Sequence, residues 1–306
     1  MIDVITSLKL AHKGKVRDTY ELSPRCDGIS SLELLLMVAS DRVSTHNVLH
    51  TSIVPRKGQV LTALSLHWMK LLSEAGFPHH MVASGEEIYK FLPGSRNDYP
   101  ADLAFRAMVV KRLSMLPYEL VLRRYLTGSL YELYKRGEDP YGIGLPSGLL
   151  KMCRFDNLLF TPTDKSETDD PVLSERVALK EFEAFDLARR VFLKIETELK
   201  RAGIVLVDSK LEIGCDEQGM VCVGDEIVTP DSSRFVRAGD IVLGIDPPWL
   251  DKQGIRDAAE MMWSGGKKTP LVFPQEVIED TTTRYMQAFE MITGRDLESF
   301  QRAYLN

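Results

Sequence analysis

The sequence predicts an α+β chain, and three observations carry that reading. Short strand-like segments cluster before residue 40 and again after residue 100. Two long stretches with helical periodicity, 58–75 and 174–202, stand between and after them. A hairpin pattern, GIVLVDSKLEIG followed by MVCVGDEIV, follows the second of these.

The elements follow in order. KLAHKGKVRDTYEL alternates polar and apolar residues around Gly14 and reads as two strands joined by a glycine turn. LELLLMVAS is a buried strand. Val60, Leu61, Leu64, Trp68, Leu71, Leu72 and Ala75 recur at helical spacing, and Gly76 closes that helix. Residues 103–113 and 119–126 are strand-like, SMLPY connects them, and Ser129–Arg136 forms a short helix. Residues 137–173, rich in Gly, Pro, Asp and Thr, form a long irregular stretch and a candidate active-site loop. Ser174 caps the second long helix, which presents Ala178, Phe182, Phe185, Phe192, Ile195 and Leu199 on one face and ends at Gly203. The hairpin turn is Asp216–Gly219, and one more helix spans 275–293 before Gly294.

At 306 residues the chain is long enough for about two domains, with a boundary near residues 112–118. A net charge of −6 excludes a broad basic surface for nucleic acid. The longest apolar run, 32–39, contains Glu33 and is far shorter than the roughly 20 residues that span a bilayer. With no secretory signal visible, the expected location is cytoplasmic. Cys26, Cys153, Cys215 and Cys222 form no CxxC pair and read as reduced thiols. His46 and His50 lack the HExxH arrangement and read as polar loop residues. Oligomeric state is open between monomer and homo-oligomer.

Several residues carry chemistry. Alternation along a strand puts Asp208, Lys210 and Glu212 on one face, and pairing Cys215 with Met220 sets Lys210 opposite Asp225. Hard oxygen ligands beside an ammonium suit Mg²⁺ with nucleotide phosphates; cross-strand ion pairs on a solvated face are the plainer alternative. In TPDSSRF, a turn through Asp231 presents Arg234, a planar donor for phosphate or carboxylate. Arg123 precedes Thr127-Gly128-Ser129, which opens a helix N-terminus suited to an anion. Lys15 and Arg17 flank the glycine turn as a phosphate-covering pair. Gly142, Gly144 and Gly148 do not match GxGxxG, and no Walker A motif is present.

GKVRDTYEL, ASDRVSTHN, PRKGQVLTALS, MLPYELVLRRYLTGS, VDSKLEIG, GDEIVTPDSSRF, DKQGIRD and EVIEDTTTRYMQAFEMITG, in this order, closely resemble the SAICAR synthetase (phosphoribosylaminoimidazole-succinocarboxamide synthase) family across nearly the whole chain. The resemblance implies a two-lobed fold: a kinase-like N-terminal lobe over 1–115 and an ATP-grasp-like part over 116–306. It implies an ATP-dependent ligase of purine biosynthesis that joins carboxyaminoimidazole ribonucleotide to L-aspartate with Mg²⁺. By position in the family motifs, Lys15, Arg17, Lys111, Met115 and Lys165 bind ATP, and Glu212 and Asp225 hold the metal, with Lys210 beside them in the catalytic set. Arg123, Ser129, Lys210 and Arg234 hold the ribonucleotide and its phosphate with Asp208 supporting them, and Asp41, Asn47, Asp170 and Asp231 complete the substrate site.

Some positions depart from the family pattern. SDRVSTHN stands for SDRISAFD or SDRISAYD, so Asn47 replaces an aspartate and His46 an aromatic residue. Ile213, Tyr118 and Gly254 replace other family residues, and Asp169 stands where histidine commonly precedes Asp170. Asn47 separates the purine-pathway reading from a diverged carboxylate–amine ligase. A nucleotide-binding protein without turnover would not need both metal ligands and phosphate anchors.

Overall fold

The glycine turn forms as the sequence predicts: β1 (Leu10–Lys13) and β2 (Arg17–Glu21) pair antiparallel across Gly14. A Cβ on Gly14 would lie 2.6 Å from the Arg17 carbonyl oxygen, so no larger residue fits this turn. The structure is a computed structural model that describes residues 5, 7–23, 33–164 and 179–306. β3 (Leu34–Ala39), β6 (Met81–Ser84) and β7 (Ala107–Lys111) complete the first sheet in the order β1-β2-β3-β7-β6. Leu103–Arg106 is a helical turn, α2, where the sequence suggested strand.

Between these strands lie a hairpin, β4 (Arg42–Thr45) and β5 (Val48–Ile53), and helix α1 (Lys57–Glu74). The hairpin turn is the pair His46 and Asn47, with φ 46° and 63°, the left-handed pair that a two-residue hairpin turn requires. His50 is therefore a buried strand residue, not a loop residue; its ring meets Thr45 Oγ1 at 2.8 Å and accepts from the Leu271 amide. α1 buries Val60, Leu61, Leu64, Trp68 and Leu72, and Gly76 follows with φ 74°.

β8 (Ser114–Met115), β9 (Tyr118–Tyr125), β10 (Arg154–Phe160), β11 (Thr163–Asp164), β12 (Ile204–Cys215), β13 (Val221–Gly224) and β14 (Ser233–Arg237) build the second sheet around β9 and β12. The stretch expected to be irregular thus contains two strands. α3 (Gly128–Lys135) follows β9, and α4 (Leu179–Arg201) packs on β12 and β9. Ser174 and Ala178 lie outside the described residues.

The buried face of α4 is Ala184, Leu187, Ala188, Val191, Phe192, Ile195 and Leu199. Phe182, expected on that face, is 73% exposed, because two residues turn a helix about 200° away from Ala184. α5 (Gln253–Trp263) and α7 (Leu297–Tyr304) flank the expected α6 (Gln275–Thr293). The main core joins α1, α4 and α6 with residues from both sheets, including Leu64, Trp68, Met108, Phe192, Phe235 and Phe289. Backbone bonds from Val223 N to Pro78 O (3.0 Å), His80 N to Val223 O (3.0 Å) and Lys111 N to His80 O (2.8 Å) link β13 to the first sheet. Among the described residues no helix is long and apolar enough to cross a membrane.

Candidate active site

The turn beside Gly14 is held from below. The Arg42 guanidinium donates to the carbonyls of Gly14 (2.9 Å) and Lys15 (3.2 Å) and, in a bidentate pair, to the buried Asp18 carboxylate. This fixes the neighbouring cations. Lys15 Nζ donates to Asn47 Oδ1 at 2.7 Å, and Arg17 reaches across to the second sheet, pairing with Asp225 at 3.0 Å and with Glu226. Burial works against the Arg17 charge, but Asp225 and Glu226 outweigh it and hold the guanidinium firmly protonated.

The metal-ligand candidates meet by a different register from the one expected. Asp216 N donates to Met220 O at 3.0 Å, leaving a three-residue loop, Glu217–Gly219, in which Gly219 is left-handed at φ 78°. Cys215 therefore pairs with Val221 and Glu212 with Gly224, one residue away from the predicted pairing. Lys210 lies opposite Val121 of β9 instead of Asp225. Asp225 follows directly after the Glu212 partner, at φ 50°.

The convergence survives the slip. Lys210 Nζ pairs with Glu119 and lies 3.9 Å from Glu212 Oε1. Burial lowers the Lys210 pKa, but Glu119, Glu212 and Asp225 raise it more, so the ammonium stays charged. Glu212 on β12 and Asp225 just past the end of β13 offer two hard carboxylates, with Arg17 beside Asp225 and Lys210 beside Glu212. That donor set fits Mg²⁺ that keeps its waters and arrives with nucleotide phosphates. It does not fit an all-protein cage: among the described residues no cluster of three or more acidic, His or Cys side chains could hold a metal.

Two residues before Lys210 on the same strand, Asp208 Oδ2 accepts from Arg123 Nη1 (3.2 Å) and Arg234 Nη1 (2.6 Å). Arg123 also donates to Thr161 Oγ1 and Ser129 Oγ. Two guanidinium groups thus share one carboxylate at the N-terminus of α3, an arrangement with a spare positive charge for an anion. Burial pulls the Arg123 pKa down, while for Arg234 the neighbouring Asp208 and Asp251 outweigh burial and raise it. Gly128, at φ 56°, lies so close that a Cβ would be 2.5 Å from Arg234 Nη1.

Asp231 lies at the centre of a charge network that the sequence did not reveal. Lys57 Nζ, fully buried at the start of α1, is 2.9 Å from its carboxylate; Lys252 Nζ is 3.9 Å away, and the Tyr285 hydroxyl donates to it. Burial opposes the Asp231 charge, but Lys252, Lys57 and Tyr285 together keep its carboxyl below the ordinary range. Burial pushes Lys252 down to about 8 and Asp251 up to about 6. Arg256, near Arg234 and Asp251, joins this network to the arginine pair. Glu119 and Glu226 were also missed. The signal was available only as charged residues inside PRKGQ, MLPYEL, GDEIV and DKQGIRD, segments too short to fix a partner.

The other expected residues are more scattered. Asp41 accepts from the amides of Arg56 (3.1 Å) and Gly58 (2.9 Å), anchoring the start of α1. Met115 is exposed on β8 against Gly214, and Lys111 ends β7. Lys165 and Asp170 lie outside the described residues.

A family model described as SAICAR synthetase matches residues 10–270. Phosphoribosylaminoimidazole-succinocarboxamide synthases are similar over nearly full length. That of Syntrophobacter fumaroxidans is 36% identical, covering 95% of this chain and 95% of its own. That of Actinobacillus succinogenes is 36% identical over 94% and 98%. Among solved structures, the SAICAR synthase of Saccharomyces cerevisiae, complexed with SAICAR, superposes with a TM-score of 0.79 at 30% identity over 97% of both chains. A SAICAR synthetase in complex with ADP shares the fold, with a TM-score of 0.64 at 24% identity over 93% and 98%. With the family model spanning both sheets and relatives matching end to end, the chain belongs to the SAICAR synthetase family.

Proposed function

We propose that the chain joins carboxyaminoimidazole ribonucleotide to L-aspartate, with ATP converted to ADP and phosphate, giving SAICAR. One observation supports this most directly: β12 carries a paired-arginine anion site around Asp208 and a two-carboxylate site at Glu212, and these two residues lie two positions either side of Lys210 in one strand. An activating nucleotide and a phosphorylated acid can therefore lie side by side.

In this reading Lys15 and Arg17 neutralise the ATP phosphates, with Lys111 and Met115 near the adenine. Glu212 and Asp225 hold Mg²⁺, which when bound supplies neutralising charge to the transferring phosphoryl group. Arg123, Arg234 and Ser129 bind the ribonucleotide phosphate, and Asp208 aligns the two arginines. Lys210 holds the substrate carboxylate near the phosphoryl group, while Asp41, Asn47 and Asp231 border the site. A substrate carboxylate oxygen attacks the γ-phosphorus and ADP leaves. The aspartate nitrogen then attacks the acyl carbon and loses a proton, and phosphate departs with the transferred oxygen. Positioning two anions together supplies most of the work.

The first sheet is complete by Lys111 and the second begins at Ser114, which supports two lobes divided close to the boundary between 1–115 and 116–306, with β8 on the side of the second. A role in purine biosynthesis supports a cytoplasmic location. Relatives that match from end to end do not favour a ligase for a different acid or amine. The test is phosphate release with Mg-ATP and carboxyaminoimidazole ribonucleotide, with and without L-aspartate, and the product mass. Aspartate-dependent release with the succinocarboxamide product is expected; release that ignores aspartate would refute the assignment.

A further inference from the structure

Two non-glycine residues in the segment Asp225–Val228 are left-handed, Asp225 at φ 50° and Val228 at φ 42°. For a β-branched valine this backbone is a true outlier, which persists only where its surroundings hold it. Both carbonyls of these residues are met by a ring nitrogen. Trp68 Nε1 donates to Val228 O at 3.0 Å, and His80 Nε2 lies 3.2 Å from Asp225 O. A carbonyl oxygen only accepts, so His80 carries its proton on Nε2. Both rings are almost fully buried, at 1% and 3% exposure, and neither belongs to the second sheet. Trp68 comes from α1 and His80 from the segment that links β13 to β7.

We propose that Trp68 and His80 are positioning residues for the metal-binding carboxylate: one buried N–H at each end of Asp225–Val228 holds the segment in its left-handed form and so sets Asp225 beside Glu212 and Arg17. The inference rests on the reading of Asp225 as a metal ligand. Without either donor a buried carbonyl loses its partner, and the segment gains by relaxing to ordinary φ values. That relaxation carries the Asp225 side chain away from Glu212.

The test is calorimetric ADP binding with and without Mg²⁺, alongside unfolding midpoints. His80→Leu and Trp68→Phe are each expected to reduce the Mg²⁺-dependent gain in ADP affinity about tenfold, the weight of one buried hydrogen bond, with metal-free ADP binding unchanged. His80→Gln, whose amide nitrogen reaches the Nε2 position, restores the gain, and His80→Asn, whose nitrogen falls short, does not. If His80→Leu does not fold, Trp68→Phe and the Gln/Asn pair decide. Asp225→Asn separates the two levels. Loss of the gain in Asp225→Asn but its retention in Trp68→Phe and His80→Asn overturns the positioning role alone. Retention in Asp225→Asn removes the metal assignment and this inference with it.

Discussion

Replacing Asp208 by alanine removes the carboxylate that Arg123 and Arg234 share. Asp208 is 5% exposed and Arg123 equally so, and the two guanidinium groups lie 3.2 and 2.6 Å from the same oxygen. Breaking a buried pair while leaving its partner charged costs about 3–5 kcal/mol, and here two like charges face each other as well. For a chain of this size each kcal/mol shifts the unfolding midpoint by about 2–4 °C, so a loss of at least about 6 °C is expected. The repulsion that destabilises the free variant favours an anion between the arginines. Added carboxyaminoimidazole ribonucleotide should therefore raise the variant's midpoint by more than it raises that of the wild type. Differential scanning fluorimetry with and without ribonucleotide reads both effects. A midpoint near wild type, or a smaller ligand shift in the variant, would refute the view that Asp208 balances an anion site.

Three further outcomes follow from the same geometry. Gly128→Ala puts a Cβ against Arg234 at a left-handed position, so stability should fall by more than about 1 kcal/mol and the KM for ribonucleotide should rise; a rise confined to ATP would count against the placement. Burial lowers the His80 pKa from 6.5 to about 3. Below 6.5 the unfolded chain binds a proton that the folded chain refuses, so stability falls with falling pH, and His80 alone contributes about 2 kcal/mol of loss at pH 5. Urea unfolding of wild type and His80→Gln at pH 7.5 and 5 should differ by that amount, and parallel losses would show that His80 is not the group concerned. Asn47→Ala releases Lys15 and should raise the ATP requirement severalfold, whereas Asn47→Asp keeps an acceptor and should not; identical KM values for both variants would exclude the contact from the nucleotide site.

Local signals in the sequence were legible where local physics decides the outcome. The apolar stripe of α1, the glycine turn and the stop at Gly294 all depend on residues within a few positions of one another. The hairpin register did not, because it hinges on one closing bond, Asp216 N to Met220 O, and on the Asp216 carboxylate taking the amides of Gln218 and Met220. One residue more or less in that loop moves every cross-strand partner. Phe182 misled because the apolar count on α4 admits a second phase; the small residues Ala184 and Ala188 choose the one that packs closely on the sheet.

Much of the site was visible as residue types but not as pairings. Arg123, Asp208 and Arg234 come from three strands, and their shared oxygen exists only once β9, β12 and β14 lie side by side. Lys57 and Lys252 gave no local sign of their burial, since lysine is rarely buried unless paired and their partner, Asp231, is distant in sequence.

The reaction proposed for this site requires that the ribonucleotide carboxylate, and not water, receives the phosphoryl group. Turnover of carboxyaminoimidazole ribonucleotide labelled with ¹⁸O in its carboxylate, followed by mass analysis of the released phosphate, measures this directly. One labelled oxygen per phosphate is the expected result. Unlabelled phosphate, formed together with the amide product, would contradict carboxylate activation.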